Sequence, residues 1–229
     1  MEVLHNGFTL EIPEGAFPLS TDSVALASFA RLPKNAAVLD LCAGCGTLGI
    51  LLCAEHPDCS VTGIELDTQA HQAACANANA NNLSHRLSSI CADIRNIPTF
   101  LSPGSFRVCI SNPPYFSGGP QSQATPIARR NDFCTMEQLM AAAARYLQYG
   151  GDFFLVHRPE QLAPLCTCAS NNGLEPKRLQ LLRHRSDGPV TLVLVQCRKG
   201  GKPGLLWSEE SLFDPSGAPT DYYKHFYHI

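Results

Sequence analysis

Short apolar runs alternate with helix-forming segments along most of this chain, and this alternation constrains its fold more than any other feature. Each run has the length of a buried strand, and several of the segments between them open on a side chain that can cap a helix. Repeated alternation of this kind predicts an α/β fold, in which a mostly parallel seven-stranded sheet carries helices on both faces. The predicted strands cover residues 37–41, 60–64, 87–91, 106–111, 152–157, 180–182 and 191–197.

One predicted helix precedes these strands and the others lie between them. They cover residues 24–30, 46–53, 67–81, 135–147 and 159–171. Thr135 is expected to cap the fourth helix, and Gly150-Gly151 to end it. Ligands of such a sheet bind at the carboxyl ends of the strands, near the point where the strand order reverses. Polar residues at predicted strand ends are therefore the candidates for a functional site.

A glycine-containing loop follows the first predicted strand, from Asp40 to Gly49. Gly44 and Gly46 allow the backbone to turn sharply and to approach a ligand where a side chain would collide. Glu65 ends the second predicted strand, nineteen residues after Gly46, where a carboxylate can accept hydrogen bonds from both ribose hydroxyls of a nucleotide-like cofactor. Asp93 follows the third strand, near the expected position of an adenine ring. The alternative is that both acids only cap the helices that follow them.

The type of cofactor depends on the residues around this loop. Gly44, Gly46 and Gly49 have the GxGxxG spacing, which permits a dinucleotide such as NAD. Asp40 argues against a dinucleotide, because an acid beside the loop would repel a pyrophosphate and attract an ammonium group. S-adenosylmethionine carries an ammonium group and no phosphate, and is therefore the favoured cofactor.

Two consecutive prolines follow the fourth predicted strand, in the sequence Asn112-Pro113-Pro114-Tyr115. Prolines lack the N–H that a strand ladder needs, so the strand has to stop there. The Asn112 side chain and the Pro113 carbonyl are then exposed as acceptors, with the Tyr115 ring beside them. Two acceptors and a ring suit a planar amino group, such as the exocyclic amine of adenine or the amide of glutamine. The alternative is an ordinary proline-rich turn.

The first ten residues and the cysteines indicate where the protein is located and whether it binds a metal. The first ten residues contain polar side chains and no long apolar run, which predicts neither a signal peptide nor a membrane span. Eleven scattered cysteines, some within predicted core strands, favour a reducing cytoplasm. Cys42 and Cys45 form a CxxC pair, but no second pair is spaced to complete a zinc site, so no metal is expected and a redox role is the minor alternative.

The net charge of −3 hides an uneven distribution. Residues 1–120 carry five Lys and Arg against ten Asp and Glu, whereas residues 121–229 carry twelve against ten. Seven of these basic residues lie within 177–202, and a local basic surface could contact phosphates. An ordinary solvated face is the alternative. The oligomeric state stays open, and we expect a monomer.

In this order, the glycine loop, the two acids and the proline motif resemble those of class I S-adenosylmethionine-dependent methyltransferases of the NPPY type. More narrowly, the chain is similar over nearly its whole length to the bacterial valine-tRNA adenine-N6 methyltransferase family. The resemblance implies a Rossmann-like methyltransferase fold and methylation of an adenine N6 amine in tRNA, next to the anticodon. Two positions depart from the family, because Cys42 stands at a usual glycine and Arg130 at an expected histidine. The further matching segments are 17–24, 127–130, 150–151, 156–160 and 199–201.

The catalytic residues are then Asn112, Pro113, Pro114 and Tyr115. If Asn112 Oδ1 and the Pro113 carbonyl accept both amine hydrogens, the nitrogen can pyramidalise toward the methyl group, and the developing positive charge is stabilised. No general base is needed, since the proton can leave to water after transfer. The predicted cofactor-binding residues are Thr21, Asp22, Asp40, Gly44, Gly46, Glu65, Asp93 and Asn112, and the predicted substrate-binding residues are Tyr115, Phe116, Arg129 and Arg130.

These roles have different origins. Thr21 and Asp22 are assigned to the cofactor by the resemblance alone, and could otherwise cap a helix. Tyr115 and Phe116 are expected to stack on an exposed base, and Arg129 and Arg130 to grip phosphates or face solvent. We expect a single-domain protein, in which residues 1–36 cover the cofactor site and residues 37–229 form the methyltransferase domain. The aromatic tail at 222–229 is expected to pack on that domain rather than on RNA.

Two other functions stay open. Glutamine-amide methylation of a protein such as a translation release factor would use the same geometry. Enzymes of that class carry a helical domain ahead of the glycine loop, and only 39 residues precede Asp40 here. A non-catalytic RNA-binding module is the second alternative, and the presence of Glu65, Asp93 and Asn112 argues against it. DNA adenine methylation is less favoured, since no large target-recognition segment is present.

Overall fold

The computed structural model describes residues 2–4, 7–14, 17–113 and 134–227. The strands are β1 (Glu2–Val3), β2 (Thr9–Leu10), β3 (Ala37–Leu41), β4 (Ser60–Glu65), β5 (Leu87–Cys91), β6 (Phe106–Ser111), β7 (Leu147–His157), β8 (Leu174–Arg185), β9 (Val190–Lys199) and β10 (Leu206–Phe213). The α-helices are α1 (Thr21–Phe29), α2 (Thr47–Glu55), α3 (Thr68–Ala80), α4 (Met136–Tyr146), α5 (Leu162–Asn171) and α6 (Asp221–Tyr227), and short 3₁₀ helices cover Ile94–Asn96 and Pro159–Gln161.

The main sheet contains eight of the described strands, in the order β10-β8-β9-β7-β6-β3-β4-β5. β9 runs antiparallel to β7 and β8, and the other neighbouring pairs are parallel. The predicted mostly parallel α/β sheet is confirmed, but the predicted number of seven strands is wrong. The strand that was not predicted, β10, lies at the edge of the sheet and is largely exposed, so its side chains show no apolar alternation.

The strand order reverses between β3 and β6. From β3 the chain adds β4 and then β5 on one side, and it returns to add β6 on the other side of β3. The carboxyl ends of β3 and β6 therefore flank the topological switch point, which is where open α/β sheets bind their ligands.

Two hydrophobic clusters cover the two faces of this sheet. Successive side chains of β3 point to opposite faces, so Val38 joins one cluster while Leu39 and Leu41 join the other. The first cluster includes residues of α1 and α2, and the second includes residues of α4 and α5. Helices thus lie on both faces, as predicted, and both faces of the central strands are buried.

Capping side chains fix where several helices begin. Asp67 Oδ1 accepts a hydrogen bond of 2.8 Å from Ala70 N at the start of α3. Thr135 caps α4 in a capping box with Gln138, which confirms the predicted cap. The predicted end of that helix is wrong, because α4 stops at Tyr146 and Gly150 lies inside β7, with a φ of 77°. This glycine accommodates an irregularity in the pairing of β7 with β6.

The aromatic residues near the C-terminus pack on the domain, as predicted for those that are described. Tyr222, Tyr223 and Tyr227 contact the first hydrophobic cluster. The Tyr222 hydroxyl accepts a hydrogen bond of 2.6 Å from Gln180 Nε2, and burial raises the pKa of this hydroxyl to about 12. Within the described ranges, no helix combines the length and the apolar character that crossing a membrane requires.

Candidate functional site

The carboxyl ends of four neighbouring strands lie side by side, and a predicted site residue lies at each of these ends. β5, β4, β3 and β6 are adjacent and parallel, with a spacing of about 4.8 Å between neighbours. Asp93 follows β5, Glu65 ends β4, the glycine loop follows β3, and Asn112 follows β6. The strand register therefore brings together residues that are far apart in the sequence.

The glycine loop has the backbone conformation that its glycines predict. Gly44 and Gly46 have φ angles of 55° and 81°, in the left-handed region that favours glycine. A Cβ on Gly46 would lie 3.3 Å from the Cβ of Ala74, where α3 passes close to the loop. A Cβ on Gly49 would lie 2.5 Å from Leu87 Cδ1. The third glycine of the motif thus permits close packing of α2 on the sheet.

Glu65 holds the loop in place through its carboxylate. Its Oε2 accepts a hydrogen bond of 2.7 Å from Gly44 N, and its Oε1 accepts one of 2.8 Å from Asp67 N. An ionised carboxylate can accept about four hydrogen bonds, and the side chain is only partly buried. Glu65 therefore both orders the loop and keeps capacity to accept hydrogen bonds from two hydroxyl groups of a ligand.

Asp40 is the buried acid of the site. Its relative exposure is 1%, and its Oδ1 has no hydrogen-bond partner among the described residues. Burial raises the pKa of the Asp40 carboxyl well above its ordinary value, and the charge of Glu65 raises it further. A buried carboxylate with an unpartnered oxygen is unfavourable, and a ligand cation at this position would relieve the cost. The unpartnered Asp40 oxygen thus suits an ammonium group.

Asp93 already has hydrogen-bond partners within the protein. It caps the 3₁₀ helix Ile94–Asn96, and its Oδ1 accepts a hydrogen bond of 2.8 Å from Arg95 N. The Arg95 guanidinium also binds this carboxylate, with Nε 2.9 Å from both oxygens. These hydrogen bonds lower the pKa of Asp93. The capping role that was the alternative for this acid is therefore observed, and a ligand contact would have to share the carboxylate with Arg95.

Asn112 is held by Ser23, which is not among the predicted site residues. Asn112 Nδ2 donates a hydrogen bond of 2.9 Å to Ser23 Oγ, across 89 residues of sequence. Ser23 lies in the first turn of α1, immediately after Thr21 and Asp22. The first turn of α1 therefore lies beside Asn112, although the cap of this helix is Ser20. No local pattern predicts this contact.

The remaining predicted residues of the acceptor site divide into two groups. Pro113 is described, and it is buried directly after Asn112. The others lie outside the described residues: Pro114, Tyr115, Phe116, Arg129 and Arg130.

Cys42 stands in the glycine loop with a φ of 62°, a conformation that favours glycine. Its Sγ lies 4.0 Å from Cys134 Sγ, which precedes the cap of α4. The thiol contact of Cys42 is therefore with a distant cysteine, whereas the CxxC partner Cys45 is buried in the loop. In the part of the chain that the structure describes, no group of three or more His, Cys, Asp or Glu could hold a metal ion.

Asn77, which is not among the predicted site residues, supports the glycine loop from α3. This buried side chain on α3 donates hydrogen bonds of 3.0 Å to the Cys45 carbonyl and 2.9 Å to the Glu11 carbonyl. It also accepts one of 2.8 Å from Glu11 N. Asparagine is a poor helix former, so its position within a helix is a signal that could have identified this role.

The basic residues at 177–202 do not form one free surface. Because β8 and β9 are antiparallel, Arg183 and Arg185 lie toward the site edge of the sheet, whereas Lys177 and Lys199 lie toward the opposite edge. Most of these cations contact acceptors within the domain. The contacts are Arg183 with Glu209, Arg185 with Asp187, Arg198 with Asp152, Lys177 with the Lys202 carbonyl, and Lys199 with the Leu147 carbonyl. These contacts favour the solvated face over a phosphate-binding surface.

Comparison with known proteins gives consistent matches. The family model described as "Methyltransferase small domain" matches residues 20–165. A tRNA1(Val) (adenine(37)-N6)-methyltransferase of Bacteroides fragilis is 28% identical over 191 residues, covering 82% of this chain and 80% of the relative. The protein of the same name from Vibrio parahaemolyticus is 30% identical over 194 residues, covering 84% and 80%. The crystal structure of a predicted O-methyltransferase from Agrobacterium tumefaciens matches with a TM-score of 0.75 and 20% identity, covering 91% of this chain and 96% of that one.

Proposed function

We infer the activity of this chain from the family to which it belongs, the methyltransferase small domain family. It is an S-adenosylmethionine-dependent methyltransferase that acts on the exocyclic N6 amine of an adenine in tRNA, next to the anticodon. The observation that carries this conclusion is the similarity, over more than four fifths of the chain, to relatives named for that reaction. The fold and the residues at the sheet edge agree with it.

The cofactor site fits the groups of S-adenosylmethionine. The buried Asp40 carboxylate, with an oxygen that no described residue satisfies, suits the ammonium group of the cofactor. Glu65 suits the ribose hydroxyls, and Gly44 and Gly46 allow the close approach of the backbone. When bound, the cofactor supplies a methyl group activated on a sulfonium. Asp93 is proposed to lie near the adenine ring of the cofactor, and Thr21 and Asp22 to cover the site.

Asn112 and Pro113 are proposed to bind the acceptor amine. The lone pair of an adenine amino nitrogen is delocalised into the ring, so the nitrogen is a poor nucleophile. Hydrogen bonds from the amine to Asn112 Oδ1 and to the Pro113 carbonyl favour a pyramidal nitrogen and stabilise the positive charge that develops there. These acceptors follow the buried β6, and a rigid element of this kind suits the positioning of a reacting group.

The substrate contacts outside the described residues rest on the sequence. Tyr115 and Phe116 are proposed to stack on the target base, and Arg129 and Arg130 to contact RNA phosphates. Pro114 and Tyr115 complete the proposed catalytic motif. Glutamine-amide methylation would suit the same two acceptors, but the relatives are named for the adenine reaction.

The remaining expectations follow from this function. A tRNA substrate and eleven thiols agree with a cytoplasmic location, which we propose together with a monomeric state. We also propose the division into a covering segment, residues 1–36, and a methyltransferase domain, residues 37–229. The position of Ser23, beside Asn112, supports a covering role for the first turn of α1.

The test is transfer of labelled methyl from S-adenosylmethionine to total tRNA, followed by nucleoside analysis. The wild-type protein is expected to yield N6-methyladenosine, and Asn112→Ala to lose roughly a hundred- to thousandfold in turnover while it still binds the cofactor. Asn79→Ala is the matched control, since Asn79 is exposed on α3. Label in a protein glutamine, or an active Asn112→Ala variant, would contradict the proposal.

A further inference from the structure

We propose that Ser23 is a positioning residue, which holds the Asn112 amide so that its oxygen faces the acceptor amine. This inference rests on the proposed function, because it assigns a role to a residue that touches Asn112 and not the substrate. The observation that carries it is the 2.9 Å hydrogen bond from Asn112 Nδ2 to Ser23 Oγ.

The position of the Ser23 hydroxyl is fixed by the start of α1. Ser23 N donates a hydrogen bond of 3.1 Å to the Ser20 carbonyl, and Ser20 caps the helix. The helix itself is anchored, because Leu26 and Phe29 are buried in the first hydrophobic cluster. Ser23 is 6% exposed, so its hydroxyl occupies a nearly dry position on a rigid element. Such support from a second layer is what precise placement of a reacting group requires.

The two ends of an asparagine amide have nearly the same shape and opposite hydrogen-bonding roles. With Nδ2 donating to Ser23, Oδ1 is the end that stays available to accept from a substrate amine. If the Ser23 hydroxyl is removed, Nδ2 loses its acceptor and the amide can rotate. The rotated amide would present N–H groups to the N–H groups of the substrate amine. Turnover would then fall without any change in the cofactor site.

The test compares three variants of α1. Ser23→Ala is expected to lower kcat about tenfold, the effect of one neutral hydrogen bond, and to leave the KM for S-adenosylmethionine unchanged. Ser28→Ala makes the same change on the same helix, at a partly buried residue, and is expected to keep the wild-type kcat. Ser23→Thr keeps a hydroxyl and is expected to recover most of the lost turnover. A wild-type kcat in Ser23→Ala, or equal losses in all three variants, would overturn the inference.

A second measurement separates this inference from the proposed function. If the wild-type protein methylates no RNA, the proposed function fails whatever Ser23 does. The side-chain amide resonances of Asn112 are observable by NMR in the protein without substrate. Ser23→Ala is expected to shift them, and Ser28→Ala is not. Unshifted resonances in Ser23→Ala would overturn the positioning role independently of activity.

We infer, from an independent observation, that Cys42 and Cys134 form an oxidation site at which a peroxide produces a disulfide. Their sulfur atoms are 4.0 Å apart, although the residues are separated by 92 positions. Cys42 is partly exposed, so a small oxidant can reach the pair. The hydrogen bond between the two thiols lowers the pKa of Cys134 and raises that of Cys42, which makes Cys134 the better nucleophile. The bond would join the glycine loop to Cys134, the residue before the cap of α4.

The reaction balances with hydrogen peroxide as the oxidant. The sulfur of Cys134 attacks the peroxide, the O–O bond breaks, and a sulfenic acid and one water form. The sulfur of Cys42 then displaces the sulfenic oxygen as a second water, and an S–S bond forms. Two thiols are oxidised and one peroxide is reduced. A disulfide needs its sulfur atoms about 2.05 Å apart, so the glycine loop or the segment before α4 has to move.

This movement reaches the cofactor site, because Gly44 follows Cys42 by two residues and its N–H is held by Glu65. Oxidation is therefore expected to weaken cofactor binding. The test treats the protein with hydrogen peroxide, maps peptides by mass spectrometry without reduction, and measures S-adenosylmethionine affinity by calorimetry. We expect a linked peptide containing Cys42 and Cys134, a lower affinity, and recovery of affinity with dithiothreitol.

Two variants sharpen this test. Cys134→Ser is expected to remove both the linked peptide and the loss of affinity. Cys75→Ser changes an exposed cysteine on α3 and is expected to behave as the wild type. Oxidation confined to Cys75 or Cys91, or a Cys42–Cys134 disulfide with unchanged affinity, would overturn the inference.

Discussion

The acid at the centre of the site and the acid at its outer edge lie in opposite environments. At the centre, Asp40 is buried and one of its oxygens has no partner among the described residues. At the edge, Asp93 is partly exposed and Arg95 binds its carboxylate. The pKa of Asp40 is raised by burial, whereas that of Asp93 is lowered by its hydrogen bonds with Arg95. An acid with an oxygen that the described residues leave unpartnered is suited to a cationic ligand, whereas an acid already bound by an arginine is expected to contribute less to ligand binding.

The largest expected effect comes from removal of the central charge. Asp40→Asn keeps the shape of the side chain, and it is expected to weaken S-adenosylmethionine binding by about 3 kcal/mol, or about a hundredfold. The free energy of unfolding of the cofactor-free protein at pH 7 is not expected to fall, because the variant removes a buried ionisable group whose charged form burial disfavours. Calorimetry and thermal denaturation measure the two quantities.

Asp93→Asn is the matched control for that experiment at the edge of the site. It makes the same chemical change, but it is expected to weaken binding by no more than about 1 kcal/mol. Equal losses of affinity in the two variants would remove the distinction between centre and edge. Wild-type affinity in Asp40→Asn would exclude Asp40 as the partner of the ammonium group.

The next largest effect is expected from Asn77, whose side chain supports the glycine loop. Asn77→Ala leaves Glu11 N and the Cys45 carbonyl without their side-chain partner, and it is expected to lower the free energy of unfolding by about 2 kcal/mol. Asn79→Ala, on the exposed side of α3, is expected to change it by less than about 0.5 kcal/mol. Chemical denaturation measures both values. A stable Asn77→Ala variant would mean that the loop is held without this side chain.

Features that depend on neighbouring residues could be predicted from the sequence. The strand–helix alternation and the cap at Thr135 are local patterns, and the structure has both. The glycines of the loop were predicted for the same reason, since a left-handed conformation is a property of single residues such as Gly46. β10 was missed because an exposed edge strand needs no apolar alternation.

Contacts between distant segments could not be predicted in this way. Ser23 and Asn112 are 89 residues apart, and Cys42 and Cys134 are 92 residues apart. Each pair meets because the strand order brings two chain segments to one edge of the sheet. The same limit applies to Asp93, for which the sequence allows both a cap and a ligand contact, while the structure shows the partner that it has.

The pH dependence of cofactor binding tests the raised pKa at the centre. Below the raised pKa, Asp40 is protonated in the cofactor-free protein, and an ammonium group has to displace that proton. The affinity for S-adenosylmethionine is therefore expected to rise with pH through this pKa, by no more than about 1.4 kcal/mol per pH unit. Calorimetry across the pH range in wild type and in Asp40→Asn measures the effect, and the variant is expected to lose this dependence.

The sign for stability is the opposite of that for binding. Between the ordinary pKa of Asp40, near 3.8, and its raised value in the folded state, the folded protein binds more protons than the unfolded chain. The contribution of Asp40 to the free energy of unfolding therefore falls as the pH rises through that interval. A wild-type protein whose stability and affinity follow the same pH profile as those of Asp40→Asn would show that the carboxyl titrates normally.

The smallest effect is expected at the edge, from Arg95→Ala. The Asp93–Arg95 pair is partly exposed, so its loss is expected to lower the free energy of unfolding by less than about 1 kcal/mol. Because the pKa of Asp93 is lowered, this contribution is present above the ordinary pKa and is lost as the pH falls through the lowered value. Denaturation at neutral and at acid pH measures both the size and the sign. A large loss of cofactor affinity in Arg95→Ala would show that the pair contributes strongly to cofactor binding, and the distinction between centre and edge would then fail.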